Sequence, residues 1–152
     1  MQSVTANELA ADLVEVIDIE QQVFQAPWSE DDFLKHIRRG CSFFCVKHDG
    51  EVIAYAIVKW RQSGARIENI ATVPSKRRYG IGTRLVEFVK NELQPGRVII
   101  AIVSETNQEA IAFWHAAGFQ AVKVWRHYYT NGRDAYVFQL IVKDDPSEQG
   151  SR

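Results

Sequence analysis

The chain has 152 residues, enough for one domain with a real core, and 46% hydrophobic against 24% charged residues is ordinary for a soluble globular protein. Its 18 basic and 19 acidic side chains leave a formal net charge of -1, which gives no sign of a nucleic-acid or membrane-surface binder driven by bulk electrostatics. The longest aliphatic run, VIIAIV at 98–103, is far too short to span a bilayer, and MQSVTANELAADL lacks the basic and apolar blocks of a signal peptide, so a cytoplasmic protein is expected.

ELAADLVEVIDIEQQVF carries Leu9, Leu13, Val16 and Ile17 on one helical face, an amphipathic pattern. APWSEDDFLKHIRRG restarts a helix, with Ser29 and Asp32 spaced for a capping box and Gly40 closing it. Cys41 and Cys45, the only cysteines, lie in the strand-like CSFFCV; no histidine stands at ligand spacing, so two reduced, packed thiols and no metal are expected. SFFCVKHDGEVIAYAIVKW reads as two strands around an Asp49–Gly50 turn, and ARIENIATV as a third strand. A helix follows with Ile81, Leu85, Phe88 and Val89 on one face, then the buried strand RVIIAIV. NQEAIAFWHAAGF is a helix from Asn107 to Gly118, and AVKVWRHYYTNGRDAYVFQLIV a last hairpin with Asn131–Gly132 in its turn. Residues 1–143 form one expected domain, and the tail 144–152 is expected to be disordered. The order of elements predicts an α/β (α+β) domain with a mixed sheet, parallel in its middle and antiparallel at both ends.

Between the third strand and its helix stands RRYGIGTRL. Glycine inside a helix costs about 1 kcal/mol against alanine, so Gly80 and Gly82 point to a requirement for missing side chains. A helix start exposes unpaired N–H groups and the positive end of the dipole, and without side chains at 80 and 82 an anion can reach that backbone. Lys76, Arg77, Arg78 and Arg84 add positive charge, so a phosphate or pyrophosphate is the natural occupant; close helix–strand packing alone is the competing explanation. The P-loop pattern fails because Gly82 is followed by Thr83-Arg84, and the dinucleotide pattern fails because only two glycines occur, mid-chain.

Arg77-Arg78-Tyr79-Gly80-Ile81-Gly82 resembles the Arg/Gln-x-x-Gly-x-Gly/Ala pattern of the GNAT superfamily of acetyl-CoA-dependent N-acetyltransferases. TNQEAIAFWHAAGF resembles a second signature of that family, an asparagine followed by a helix ending in Gly-Phe, and the order of elements agrees over roughly residues 4 to 142. The resemblance implies a mixed central sheet with helices on both faces and a splayed central strand pair. It implies acetyl-CoA as co-substrate, its pantetheine arm pairing with the main chain at Ile70, Ala71 and Thr72. The pyrophosphate would rest on Arg77, Arg78, Tyr79, Gly80, Ile81, Gly82 and Thr83, with Asn107 and Trp114 also against the coenzyme. An amine would attack the thioester directly, its carbonyl polarised by a backbone N–H near Ile70 or Thr72.

APWSEDDF and RHYYTNGRDAYVFQL resemble segments of the RimI-type ribosomal-protein-alanine N-acetyltransferases, which implies a protein or peptide N-terminal α-amine as acceptor, entering between these two segments. A small amine (amino acid, polyamine or drug) is the alternative acceptor, and a non-catalytic acyl-CoA-binding module the alternative of another class. Both catalytic positions of that branch differ here: Ile102 stands in place of the glutamate base and Trp114 in place of the tyrosine acid, and an indole N–H cannot protonate a thiolate near neutral pH. Glu68, two residues before Ile70 and so on the same strand face, is the candidate base, with Glu105 second. Tyr128 and Tyr129, read as alternating along a strand, are the candidate acids, and Glu30, Asp31 and Asp32 the acidic side of the acceptor entrance. His127 is a possible lining residue, while His36, His48 and His115 read as surface. A monomer or a homodimer fits equally.

Overall fold

The computed structural model describes residues 2–3, 6–77 and 79–144, with side chains from Asp12 onward. Arg78 and, except for Asp144, the tail expected to be disordered lie outside the described residues. The elements run β1 (Gln2–Ser3), α1 (Ala6–Val23), α2 (Glu30–Arg38), β2 (Ser42–His48), β3 (Glu51–Arg61), β4 (Gly64–Thr72), α3 (Ile81–Asn91), β5 (Val98–Ser104), α4 (Gln108–Ala116), β6 (Gln120–Trp125) and β7 (Ala135–Ile141). This is a mixed α/β fold. Only β1 was not expected, since two residues carry no periodic signal.

Two compact units make up the chain. The first holds the described residues up to Trp60 together with Ile67–Phe88, and the second holds Arg61–Arg66 and the residues from Val89 onward. In the first, β1 to β4 lie in sequence order, with β1–β2 and β2–β3 antiparallel. The β2–β3 turn has Asp49 at φ 51° and Gly50 at φ 79°, the paired positive dihedrals of the type I′ turn that matches strand twist. Leu13, Val16 and Ile19 of α1 are buried with Phe33 of α2, Phe43 and Cys45 of β2, and Tyr55 and Ile57 of β3; Ile17 packs against them. Ser29 caps α2 as expected: its hydroxyl accepts from the Asp32 N–H at 3.2 Å, and Asp32 Oδ2 accepts from the Ser29 N–H at 2.8 Å.

In the second unit β5, β7 and β6 are neighbours in that order, both pairs antiparallel. The start of β5 joins the turn before β4, the Val98 N–H donating to Ser63 O at 2.9 Å and Arg97 Nη1 to Gln62 O at 2.9 Å. Strand β5 was expected to be buried throughout, but burial alternates: Ile99, Ala101 and Val103 are buried, while Ile100 and Ile102 are half-exposed. One face packs inward, as is usual for a strand in antiparallel pairing. At β6, Val122 and Val124 are each 49% exposed, and a bulge interrupts its register with β7 between Ala121 and Lys123. Both cysteines are free thiols, Cys45 buried and Cys41 half-exposed.

Candidate active site

Strand alternation divides β4 into two faces. Ala65, Ile67 and Ala71 are buried, whereas Arg66, Glu68, Ile70 and Thr72 are half-exposed. Glu68 therefore shares a face with Ile70 and Thr72, as the spacing predicted. Ala71 turns its methyl into the core. Burial first, then the Glu68 carboxylate, pushes the Cys41 thiol up from its ordinary pKa, with Lys59 and Arg39 opposing.

Beyond β4 a single 3-10 turn, Pro74–Lys76, leads to Arg77 and into α3. Gly80 sits at φ 72°, a left-handed conformation that L side chains rarely adopt. Its carbonyl accepts from the Arg84 N–H at 3.0 Å, the first helical bond, so Gly80 is the residue on which the helix opens. The N–H groups of Ile81, Gly82 and Thr83 precede that bond and have no partner within the helix. Gly80, Tyr79, Thr83 and Arg84 are exposed, while Ile81 and Leu85 are buried and pin the turn to the core. The two glycines thus have different jobs: Gly80 supplies the dihedral, and Gly82 keeps the first turn bare.

A buried network missed by the sequence reading lies in the same unit. Glu20 of α1 is 1% exposed, and its Oε1 accepts from the Tyr55 hydroxyl and, at 2.7 Å, from Asn69 Nδ2. Its Oε2 accepts from the Trp28 N–H at 2.9 Å. The signal was present in outline: Glu20 falls on the stripe of Leu13, Val16 and Ile17, where a carboxylate is costly unless several donors meet it. Trp28 stacks on His36, centroids 4.2 Å apart at 18°, and His36 Nδ1 donates to Asp32 O at 2.8 Å. Of the three acids expected to draw an ammonium, Asp32 is engaged in the cap, which holds its pKa below the ordinary value chiefly through the Ser29 N–H. Asp31 lies 3.6 Å from Lys35, and Glu30 is exposed in the first turn of α2.

In the second unit Asn107 caps α4, its Oδ1 accepting from the Ala110 N–H at 3.1 Å. Trp114 is 3% exposed and packs against Phe113 and Phe119, with centroids 4.9 and 4.7 Å away. Ile102 pairs with Val137 across β5 and β7 and brings no titratable group.

Tyr128 and Tyr129 do not alternate along a strand. Strand β6 ends at Trp125, and residues 126–134 form a loop in which His127 takes φ 53°. Asp134 Oδ1 accepts from the His127 N–H at 2.9 Å, and Gly132 O accepts from His127 Nδ1 at 3.0 Å, so side-chain bonds there replace the ladder. His127 is therefore a loop brace. Both rings nevertheless stay together, perpendicular at 5.0 Å, with Tyr128 45% exposed and Tyr129 half-buried. Arg66 Nη2 donates to the Tyr128 hydroxyl at 3.4 Å. Burial, and then Tyr128, raise the Tyr129 phenol above its ordinary pKa against the lowering effect of Arg66. Glu105 braces the same loop, 3.6 Å from Arg133 and accepting from the Asp134 N–H at 3.2 Å.

Among the described residues no cluster of three or more His, Cys, Asp or Glu side chains could hold a metal, and no helix is long and apolar enough to cross a membrane.

Residues 13–119 match the Acetyltransferase (GNAT) family. The chain is 32% identical over 136 residues to the [ribosomal protein bS18]-alanine N-acetyltransferase of Escherichia coli K12, covering 86% of this chain and 92% of the relative. It is 29% identical over 147 residues to an N-alpha-acetyltransferase of Sulfurisphaera tokodaii, covering 86% and 88%. The crystal structure of the ribosomal-protein-S18-alanine N-acetyltransferase from Escherichia coli superposes with a TM-score of 0.76 at 26% identity, over 95% of this chain and 94% of that one. The match covers the glycine-led start of α3, the Asn107 cap and α4 through Phe119, and on these grounds the chain belongs to the GNAT family of acetyltransferases.

Proposed function

We propose that this enzyme transfers the acetyl group of acetyl-CoA to the α-amine of a protein or peptide N-terminus. The observation that carries the acceptor is the likeness, over 86% of the chain, to relatives named for N-terminal acetylation. The geometry supports the donor. The first turn of α3, opened by Gly80 and kept bare by Gly82, offers N–H groups at the positive end of a helix to the pyrophosphate. Arg77, Tyr79, Ile81 and Thr83 complete that cradle, and Arg78 is proposed for it on the sequence pattern alone. The main chain at Ile70, Ala71 and Thr72 serves the pantetheine amides as an added strand would. Asn107 is proposed for a further coenzyme contact beside its cap of α4, whereas Trp114, buried between Phe113 and Phe119, serves the core of its own unit and is not kept as a coenzyme contact.

In the proposed step the neutral amine nitrogen attacks the thioester carbonyl carbon, and the C–S bond breaks as the amide forms. Glu68 accepts the amine proton directly or through water, and Tyr128 or Tyr129 returns a proton to the leaving sulfur. An α-amine suits a site whose usual base position holds Ile102: with pKa about 7.7–8.0 it is roughly one-fifth neutral at pH 7.4, against about one in a thousand for lysine. The reading takes the enzyme to act in the cytoplasm, as a monomer or homodimer and without a metal.

One comparison tests this reading. At a single pH, short peptides with a small free N-terminal residue should be acetylated with higher kcat/KM than free lysine, spermidine or aminoglycosides. A polyamine outperforming every peptide overturns the acceptor assignment, and binding of acetyl-CoA without turnover on any amine points to an acyl-CoA-binding module.

A further inference from the structure

We infer that Glu20 is the positioning residue of the acceptor-binding segment, an assignment that rests on the reading above of where the acceptor enters. The segment between α1 and α2, Phe24 to Ser29, carries the Pro27-Trp28-Ser29 sequence and has no secondary structure of its own apart from a bend at Gln25–Ala26. One buried carboxylate ties it down. Glu20 Oε2 holds the Trp28 N–H at 2.9 Å, while Oε1 holds Tyr55 of β3 and, at 2.7 Å, Asn69 of β4. Asn69 stands between Glu68 and Ile70, so the carboxylate that fixes the loop also fixes the strand bearing the candidate base.

An ionised carboxylate only accepts hydrogen bonds, and three donors converge on this one. A carboxylate accepts all three as they stand, whereas a glutamine keeps them only if the Tyr55 hydroxyl and the Asn69 amide turn round to accept its NH2 group. Packing alone does not explain the choice, because a methionine would fill this stripe without the desolvation of a charge. Phe24 and Trp28 pack against the core around Phe33 and Tyr55, and Trp28 meets Phe33 edge-on at 5.1 Å. The loop is therefore held at its backbone by Glu20 and at its side chains by the core, and only the first of these reaches across to Asn69.

Three measurements on Glu20→Gln and Tyr55→Phe test this, the second variant deleting a single hydroxyl in case the first fails to fold. Amide hydrogen exchange at Trp28 reads the lock without any acceptor, and steady-state kinetics read its consequence. The expected result is faster exchange at Trp28, with exchange in α3 unchanged. The KM of the best acceptor should rise about tenfold, the usual scale for one lost bond to a charged group. Acetyl-CoA affinity by calorimetry should stay within about twofold, a split that general loosening of the fold would not produce. Unchanged Trp28 exchange, an unchanged acceptor KM, or an equal loss of acetyl-CoA affinity overturns the inference. Failure of the N-terminal reading shows separately, as a wild-type preference for small amines, and the same variants are then assayed with the preferred amine.

Discussion

Glu105 Oε2 accepts from the backbone N–H of Asp134, 29 residues further along the chain, at 3.2 Å. In return the Glu105 N–H donates to Asp134 O at 3.0 Å. A carboxylate that looked like a second candidate base is thereby occupied with holding the loop of Tyr128 and Tyr129. Glu105→Gln should leave the acidic limb of the pH–rate profile where it is and lower stability by about 1 kcal/mol, or about 2–4 °C in Tm. Thermal melting and a pH–rate profile check this; a shifted acidic limb would restore Glu105 as a base.

The two glycines of the helix start separate experimentally. Gly82→Glu places a carboxylate where the pyrophosphate is proposed to lie, and should abolish acetyl-CoA binding in a folded protein. Gly80→Ala meets no atom within 4 Å, so its cost is the strain of φ 72°, about 1 kcal/mol of stability. Calorimetric titration beside thermal melts tests both, and unchanged affinity in folded Gly82→Glu would remove the phosphate cradle.

Glu68→Gln should lower turnover most at the acidic end of the pH profile, where the amine arrives protonated, and least near the amine's own pKa. Acetyl-CoA affinity should hardly change. A profile parallel to wild type would return Glu68 to an ordinary strand carboxylate.

Alkali should unfold the protein through Cys45. Burial, reinforced by Asp12, pushes this thiol from an ordinary 9.0 up to about 12. The folded state keeps the proton that the unfolded chain releases, so this stability is fully present below pH 9 and declines as pH rises toward 12. The slope is on the order of 1 kcal/mol per pH unit. Cys45→Ala should flatten part of the fall between pH 9 and 12, measured by denaturant titration at each pH. An identical slope in the variant would assign the loss to other groups, such as the buried phenol of Tyr55.

Local rules made most of the fold readable. Ser29 and Asp32 announced a capping box by spacing alone, and Asp49–Gly50 announced its turn because few residue pairs accept two positive φ values. The glycine-led helix start was readable for the same reason. What failed was extrapolation of a period past its end. Tyr128 and Tyr129 follow an alternating strand, but nothing in the alternation records that Asp134 would fold back on His127 and stop the ladder at Trp125. The Glu20 network was half legible: its place on the apolar stripe of α1 is a local signal, but its partners Tyr55 and Asn69 stand 35 and 49 residues away, and no local rule links them.

Strand β6 leaves a practical mark on the molecule. It offers Val122 and Val124 to solvent along a strand that stands last in the sheet order, beside β7. Unshielded strand edges are where foreign chains add and where deposits begin when a solution is warmed or concentrated. Two deterrents stand there: the bulge beside Ala121 distorts the template, and the charge of Lys123 sits between the two valines. Aggregation at high concentration is therefore expected to start at this short stretch, which ends at Trp125, only a few residues before Tyr128 and Tyr129.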